Sequence, residues 1–135
     1  MASDRVWGDR DTKIVVLDTS AILMIFEFSI KLEEELTMLV GKHRVTIPKQ
    51  VVDELKLFAT KKGSMRAGFA KASLKMLEGY NVEYVEAEDT DTAVLNLARK
   101  YNGVLVTNDR ELRKKAKYEK ISVIYLRGRG KLILE

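Results

Sequence analysis

Four acids, Asp18, Glu54, Asp91 and Asp109, stand at positions from which one fold could gather them. Asp18 directly follows Ile-Val-Val-Leu at residues 14–17, an apolar run that is β-branched at three of its four positions. Such a run reads as a strand buried on both faces of a parallel sheet. Asp109 ends a second stretch of this kind, Val-Leu-Val-Thr-Asn-Asp over residues 104–109. Parallel strands end on one edge of their sheet, and in open α/β sheets that edge is where ligands bind. Glu54 and Asp91 would come from helices. With Val51 at zero on a wheel of about 100° per residue, Val52, Leu55, Phe58 and Ala59 complete the core stripe of a helix over 49–60. Glu54 then falls at the edge of that stripe, beside Phe58, and Asp53 points to solvent. In the helix that reaches Tyr101, the stripe is Val94, Leu97, Ala98 and Tyr101. Asp91 lies beside it and Asp89 points elsewhere.

Carboxylates brought close together repel and raise one another's pKa, and a bound cation relieves the repulsion. With no Cys and one His, His43, the donors are oxygens, which suit Mg²⁺ or Mn²⁺. Two such ions can stabilise both the attacking and the leaving oxygen of a phosphodiester displacement. Each acid also has a simpler role. Asp18 could cap the helix beginning near Ser20. Glu54 could be a surface glutamate, and Asp91 a first-turn acid favoured by the helix dipole. Asp109 could start a helix, with Asn108 as cap and Glu111 completing a capping box. What favours chemistry is the convergence of all four. Ser20, Thr107 and Thr19 could orient a bound water or a phosphate, with capping or turn roles as the alternative. Asp89 reads as a cap and His43 as a surface residue.

The positioning elements alternate. A polar arm over 1–12 precedes a strand over 13–17. The helix after it, running to Phe28, is apolar on most sides, so it is expected to be largely covered, and a partner subunit could do some of that covering. Leu32, Leu36, Leu39 and Val40 mark an amphipathic helix ended by Gly41. A strand over 44–47 meets Pro48, which opens the next helix. A helix over 64–78 offers Met65, Phe69, Ala72, Met76 and Leu77 as core, and Lys61, Lys62, Arg66, Lys71 and Lys75 make the region basic. A short edge strand over 82–85, a basic helix over 110–117, a strand over 121–126 and an edge strand over 132–134 complete the pattern. Strands alternating with helices mean an α/β domain with a mostly parallel sheet and right-handed crossovers.

At 135 residues, 46% hydrophobic and 33% charged, the chain is one globular domain, with 13–135 as its folded part. No stretch is long and apolar enough to span a membrane, and the first residues lack the apolar core of a signal peptide. These features predict a cytoplasmic protein without disulfides. A net charge of +4 permits an anionic partner such as nucleic acid. Gly-rich phosphate loops are absent.

Together these pieces resemble a PIN domain. Val-Leu-Asp-Thr-Ser-Ala (16–21) resembles the family's first motif, with Asp18 as its acid. Ile-Pro-Lys-Gln-Val-Val-Asp-Glu-Leu (47–55) resembles the second, with Glu54. Asp-Thr-Ala-Val-Leu-Asn-Leu-Ala (91–98) and the stretch 104–109 resemble the third and fourth, with Asp91 and Asp109. The resemblance runs from about residue 13 to 126. It implies a three-layer α/β/α fold and a ribonuclease that hydrolyses RNA phosphodiester bonds with Mg²⁺ or Mn²⁺ held by the four acids. Many small PIN proteins are VapC-type toxins, which form homodimers and are restrained by an antitoxin covering the active site. A VapC-like toxin is therefore the first expectation. The end of the chain also resembles PIN proteins of ribosomal RNA processing, which makes an endonuclease of that kind the second. A catalytically inactive RNA-binding scaffold is a third reading, and it has no need of four clustered acids. A phosphoaspartate receiver would need two adjacent acids after the first strand. A haloacid-dehalogenase-like phosphatase would need an Asp where Ser20 stands.

Overall fold

The computed structural model describes residues 12–135. The arm expected over 1–12 lies outside them except for Thr12. β1 (Lys13–Leu17) leads into α1 (Thr19–Glu27) and α2 (Leu32–Val40). β2 (His43–Pro48) leads into α3 (Lys49–Ala59) and α4 (Met65–Leu77), and β3 (Asn81–Glu83) into α5 (Thr90–Lys100). β4 (Val104–Val106) is followed by α6 (Arg110–Tyr118), then by β5 (Ser122–Arg127) and β6 (Lys131–Leu134). The strand order is β3-β2-β1-β4-β5-β6, parallel throughout except for the antiparallel β5–β6 pair. This is the expected three-layer α/β/α domain.

β1 is central because it is apolar on both faces: Val15, Val16 and Leu17 are fully buried. Its register with β4 pairs Leu17 with Val106. The two strands therefore end side by side, and the next residues, Asp18 and Thr107, emerge as neighbours. α5 and β4 are joined by a turn in which Asn102 takes a positive φ of 51°. Gly103 follows it, against the β1 backbone, where an added Cβ would lie 2.5 Å from the Ile14 carbonyl oxygen. Only glycine lets the chain pass there.

Several expectations are corrected. The buried stripe of α4 is Ala67, Ala70, Ser73 and Leu77, whereas Met65 and Ala72 are exposed. Small residues let this helix lie close against α1 and α3, and its larger apolar groups, Phe69, Leu74 and Met76, pack at the margins. Tyr101 is exposed and lies beyond the core stripe of α5, its hydroxyl donating to Glu83 at 2.6 Å. His43 is not a surface residue: its side chain is 6% exposed. One ring nitrogen lies 2.9 Å from the Gly41 carbonyl oxygen and the other 2.8 Å from Glu33. α1, by contrast, is largely covered as expected, and its own chain does the covering, with residues 21–25 all buried.

Candidate active site

Asp18 is both a helix cap and the buried floor of a cavity. Its Oδ1 accepts the Ala21 N–H at 2.7 Å, which caps α1. The Ser20 hydroxyl donates to the same carboxylate at 2.9 and 3.0 Å, and the Thr107 hydroxyl donates to Oδ2. Those two hydroxyls also accept: Ser20 Oγ from the Asn108 N–H and Thr107 Oγ1 from the Asp109 N–H, each at 3.0 Å. The end of β1 is thus bonded to the loop after β4, which carries Asp109.

Glu54 projects from α3 and ties together two helix starts. The Thr19 hydroxyl of α1 donates to Oε1, and the Thr90 hydroxyl of α5 donates to Oε2 at 2.7 Å. Its neighbour Asp53 faces solvent, as the helical wheel predicts, and pairs with Lys49 at 3.2 Å. Asp91 follows Thr90 in the first turn of α5, with the Lys115 ammonium of α6 at 4.0 Å. Asp109 caps α6 itself, accepting the N–H groups of Glu111 at 2.8 Å and Leu112 at 3.3 Å. The cap is therefore not Asn108. Asp89 caps α5 through the Thr92 N–H at 2.8 Å, as expected.

All four acids line one cavity of about 250 Å³, with Thr19, Ser20, Thr90 and Arg66 also in its wall. The cavity opens at the carboxyl edge of the sheet. Burial pushes the Asp18 carboxyl up to about 6; hydrogen bonds from Thr107, Ala21 and Ser20 oppose this, and the charge of Asp109 adds to it. The Asp91 carboxyl is raised by partial burial and then by the charge of Asp109. Lys115 pulls it back, and Asp89 and Glu54 raise it further. The acids therefore feel one another across the cavity.

The donor set fits a hard divalent cation, since carboxylate and hydroxyl oxygens line the wall and the single imidazole lies elsewhere. Among the described residues, no three acidic or imidazole groups stand as a ready-made cage. Mg²⁺ keeps several of its waters and is bound by few carboxylates, so an open cavity is the arrangement it uses.

The comparisons agree with the fold. The profile of the PIN like domain family matches residues 15–129, and the chain belongs to that family. Ribonuclease VapC9 of Archaeoglobus fulgidus is 32% identical over 136 residues, covering 100% of this chain and 98% of the relative. The fold is shared with the PIN domain endonuclease Utp24, at a TM-score of 0.74 and 18% identity over 93% of this chain and 92% of that one. It is shared too with a chain of VapBC2 from Rickettsia felis, a structure bound to a promoter DNA fragment. That match has a TM-score of 0.61 and 16% identity, covering 83% of this chain and 98% of that one.

Sequence reasoning missed Thr90 as a partner of Glu54 and Arg66 as part of the wall. Thr90 stands directly before Asp91 at a helix start, a signal that could have drawn it in. Nothing in the sequence sets Arg66 apart from the basic residues around it.

Proposed function

We propose that this protein is a divalent-metal-dependent ribonuclease and a cytoplasmic toxin of the VapC type, restrained by an antitoxin. Asp18, Glu54, Asp91 and Asp109 would hold Mg²⁺ or Mn²⁺. The observation that carries the reading is the meeting of four acids, from the ends of β1 and β4 and from α3 and α5, in one cavity. When bound, the metal supplies Lewis acidity at the scissile phosphate and compensates the charge that builds there.

The chain's own residues do the positioning. Ser20, Thr107 and the Ala21 N–H hold the Asp18 carboxylate in one orientation. Thr19 and Thr90 do the same for Glu54. Asp91 and Asp109 are more exposed than Asp18 and line the side from which a phosphate could enter. Arg66 adds positive charge to a wall otherwise dominated by carboxylates and so favours a phosphate there. A full-length relative named as a VapC ribonuclease favours the toxin reading over ribosomal RNA processing.

The test is cleavage of single-stranded RNA by the purified protein with and without Mg²⁺ or Mn²⁺. Hydrolysis that appears with metal and stops on chelation is the expected result. Cleavage that persists in excess EDTA contradicts the metal assignment. No cleavage by folded, metal-bound protein on either an oligonucleotide or total cellular RNA favours the inactive-scaffold reading.

A further inference from the structure

Beside the acidic cavity lies a second hollow of about 470 Å³, which shares Glu54 and Phe58 with it. Its other walls are Leu57, Thr60 and Lys61, from the end of α3 and the residues after it. Leu57 is 68% exposed, an apolar side chain open to solvent at the mouth of a charged site. The Phe58 ring contributes to both hollows. The Lys61 ammonium lies 5.2 Å from the ring centroid, and the Arg66 guanidinium, which lines the acidic cavity, lies 6.0 Å from it. Among the described residues, neither cation forms an ion pair, although the acids of the cavity are close by. Lys62 adds a third charge, exposed and likewise without an ion-pair partner among those residues.

We infer that this corner, Leu57, Phe58, Lys61 and Arg66, seats one nucleotide of single-stranded RNA next to the cleaved bond, its base on Phe58 and its phosphate on the two cations. The inference deepens the nuclease reading above and rests on it. A nucleotide carries a flat π face and an anion on one short unit, which is the chemistry this corner presents in complement. An acidic peptide would satisfy the cations but brings no flat face to the ring. Before RNA arrives, Lys61 covers the ring. A base stacks on an aromatic ring more strongly than an exposed ammonium does, so the base displaces Lys61, which turns to the phosphate. Stacking tolerates any base, so this subsite supplies affinity and register along the strand without reading its sequence.

The test is binding of a dye-labelled single-stranded RNA in EDTA, followed by fluorescence anisotropy across a salt series. Phe58→Leu should weaken binding about 5- to 150-fold, the range that stacking of one base spans. Phe58→Tyr, which keeps an aromatic face, should bind like the wild type. An RNA strand made abasic throughout should bind wild type and Phe58→Leu alike. Leu57→Asn repeats the test at an exposed position in case Phe58→Leu fails to fold, and melting curves check each variant. Lys61→Ala and Arg66→Ala should each flatten the slope of log affinity against log salt by about 0.7. Lys75→Ala, about 14 Å further along α4, should flatten it less.

Equal losses in all three basic variants would reduce the effect to net charge and overturn the proposal. RNA binding unchanged in both Phe58→Leu and Leu57→Asn would overturn it as well. Wild-type protein that cleaves RNA while these variants bind normally contradicts this subsite alone. Wild-type protein that neither binds nor cleaves RNA contradicts the nuclease reading, and the subsite falls with it.

Discussion

At the scale of single residues, Asp18 carries the largest electrostatic tension in the site. It is 5% exposed, and its carboxyl is raised from 3.8 to about 6, chiefly by burial. A raised pKa means that the folded protein prefers the proton. Asp18 therefore costs no stability below about pH 4, where it is protonated in both states, and its cost grows as pH rises through 6. A rise of that size corresponds to about 3 kcal/mol once ionisation is complete. Metal-free wild type should accordingly lose melting temperature between about pH 4 and 7 relative to Asp18→Asn, which cannot ionise. Mg²⁺ at neutral pH should restore the wild type and leave Asp18→Asn unmoved. Parallel pH profiles for the two proteins, with the same response to metal, would contradict this account of Asp18. The simpler role of Asp18 as a helix cap and its place in the cavity prove to be compatible, because the Ala21 N–H, Ser20 and Thr107 share the carboxylate. Sequence patterning could suggest either role but not their coexistence, which depends on the Thr107 hydroxyl contributed from the end of a neighbouring strand.

At the scale of elements, the strand ends were legible and the α4 packing was not. Residues 14–17 and 104–106 are apolar without alternation, and this reveals a strand covered on both faces. α3 was legible from its wheel: of the adjacent acids Asp53 and Glu54, only Glu54 falls near the stripe of Val51 and Leu55. α4 misleads because apolar residues occur on several of its faces. The size of the residues that fit between α1 and α3 decides which face is buried, and small groups, Ala67, Ala70 and Ser73, win over Met65. The turn at Gly103 carries its own prediction. A methyl group there meets the Ile14 carbonyl, so Gly103→Ala should destabilise the domain by about 1–3 kcal/mol. For a domain of this size that is a drop of roughly 3–12 °C in thermal denaturation. An unchanged midpoint would mean that β1 and the α5–β4 turn can separate without cost.

At the scale of the whole molecule, the site is a product of topology. β1 and β4 lie side by side although most of the chain separates them, and four distant acids meet only because of that order. No helix among the described residues is long and apolar enough to cross a membrane. Residues 21–25 of α1 are covered from within, so a homodimer of the kind proposed here would draw on other surfaces. Light scattering should give twice the chain mass of 15.4 kDa. A particle of the single-chain mass would contradict the dimer and leave the cavity argument standing.

Asp18, Glu54, Asp91 and Asp109 are proposed to act as one metal-binding catalytic unit. The most direct measurement is the Mg²⁺-dependent rate of cleavage of one RNA by the wild type and by Asp18→Asn, Glu54→Gln, Asp91→Asn and Asp109→Asn, with Asp53→Asn beside them. Loss of groups that merely support a ligand costs about 10- to 100-fold, so each of the four substitutions should cost at least about 100-fold. Asp53→Asn, which removes an equal charge one residue from Glu54, should cleave like the wild type. Wild-type cleavage by any of the four, or an equal loss in Asp53→Asn, would contradict the claim.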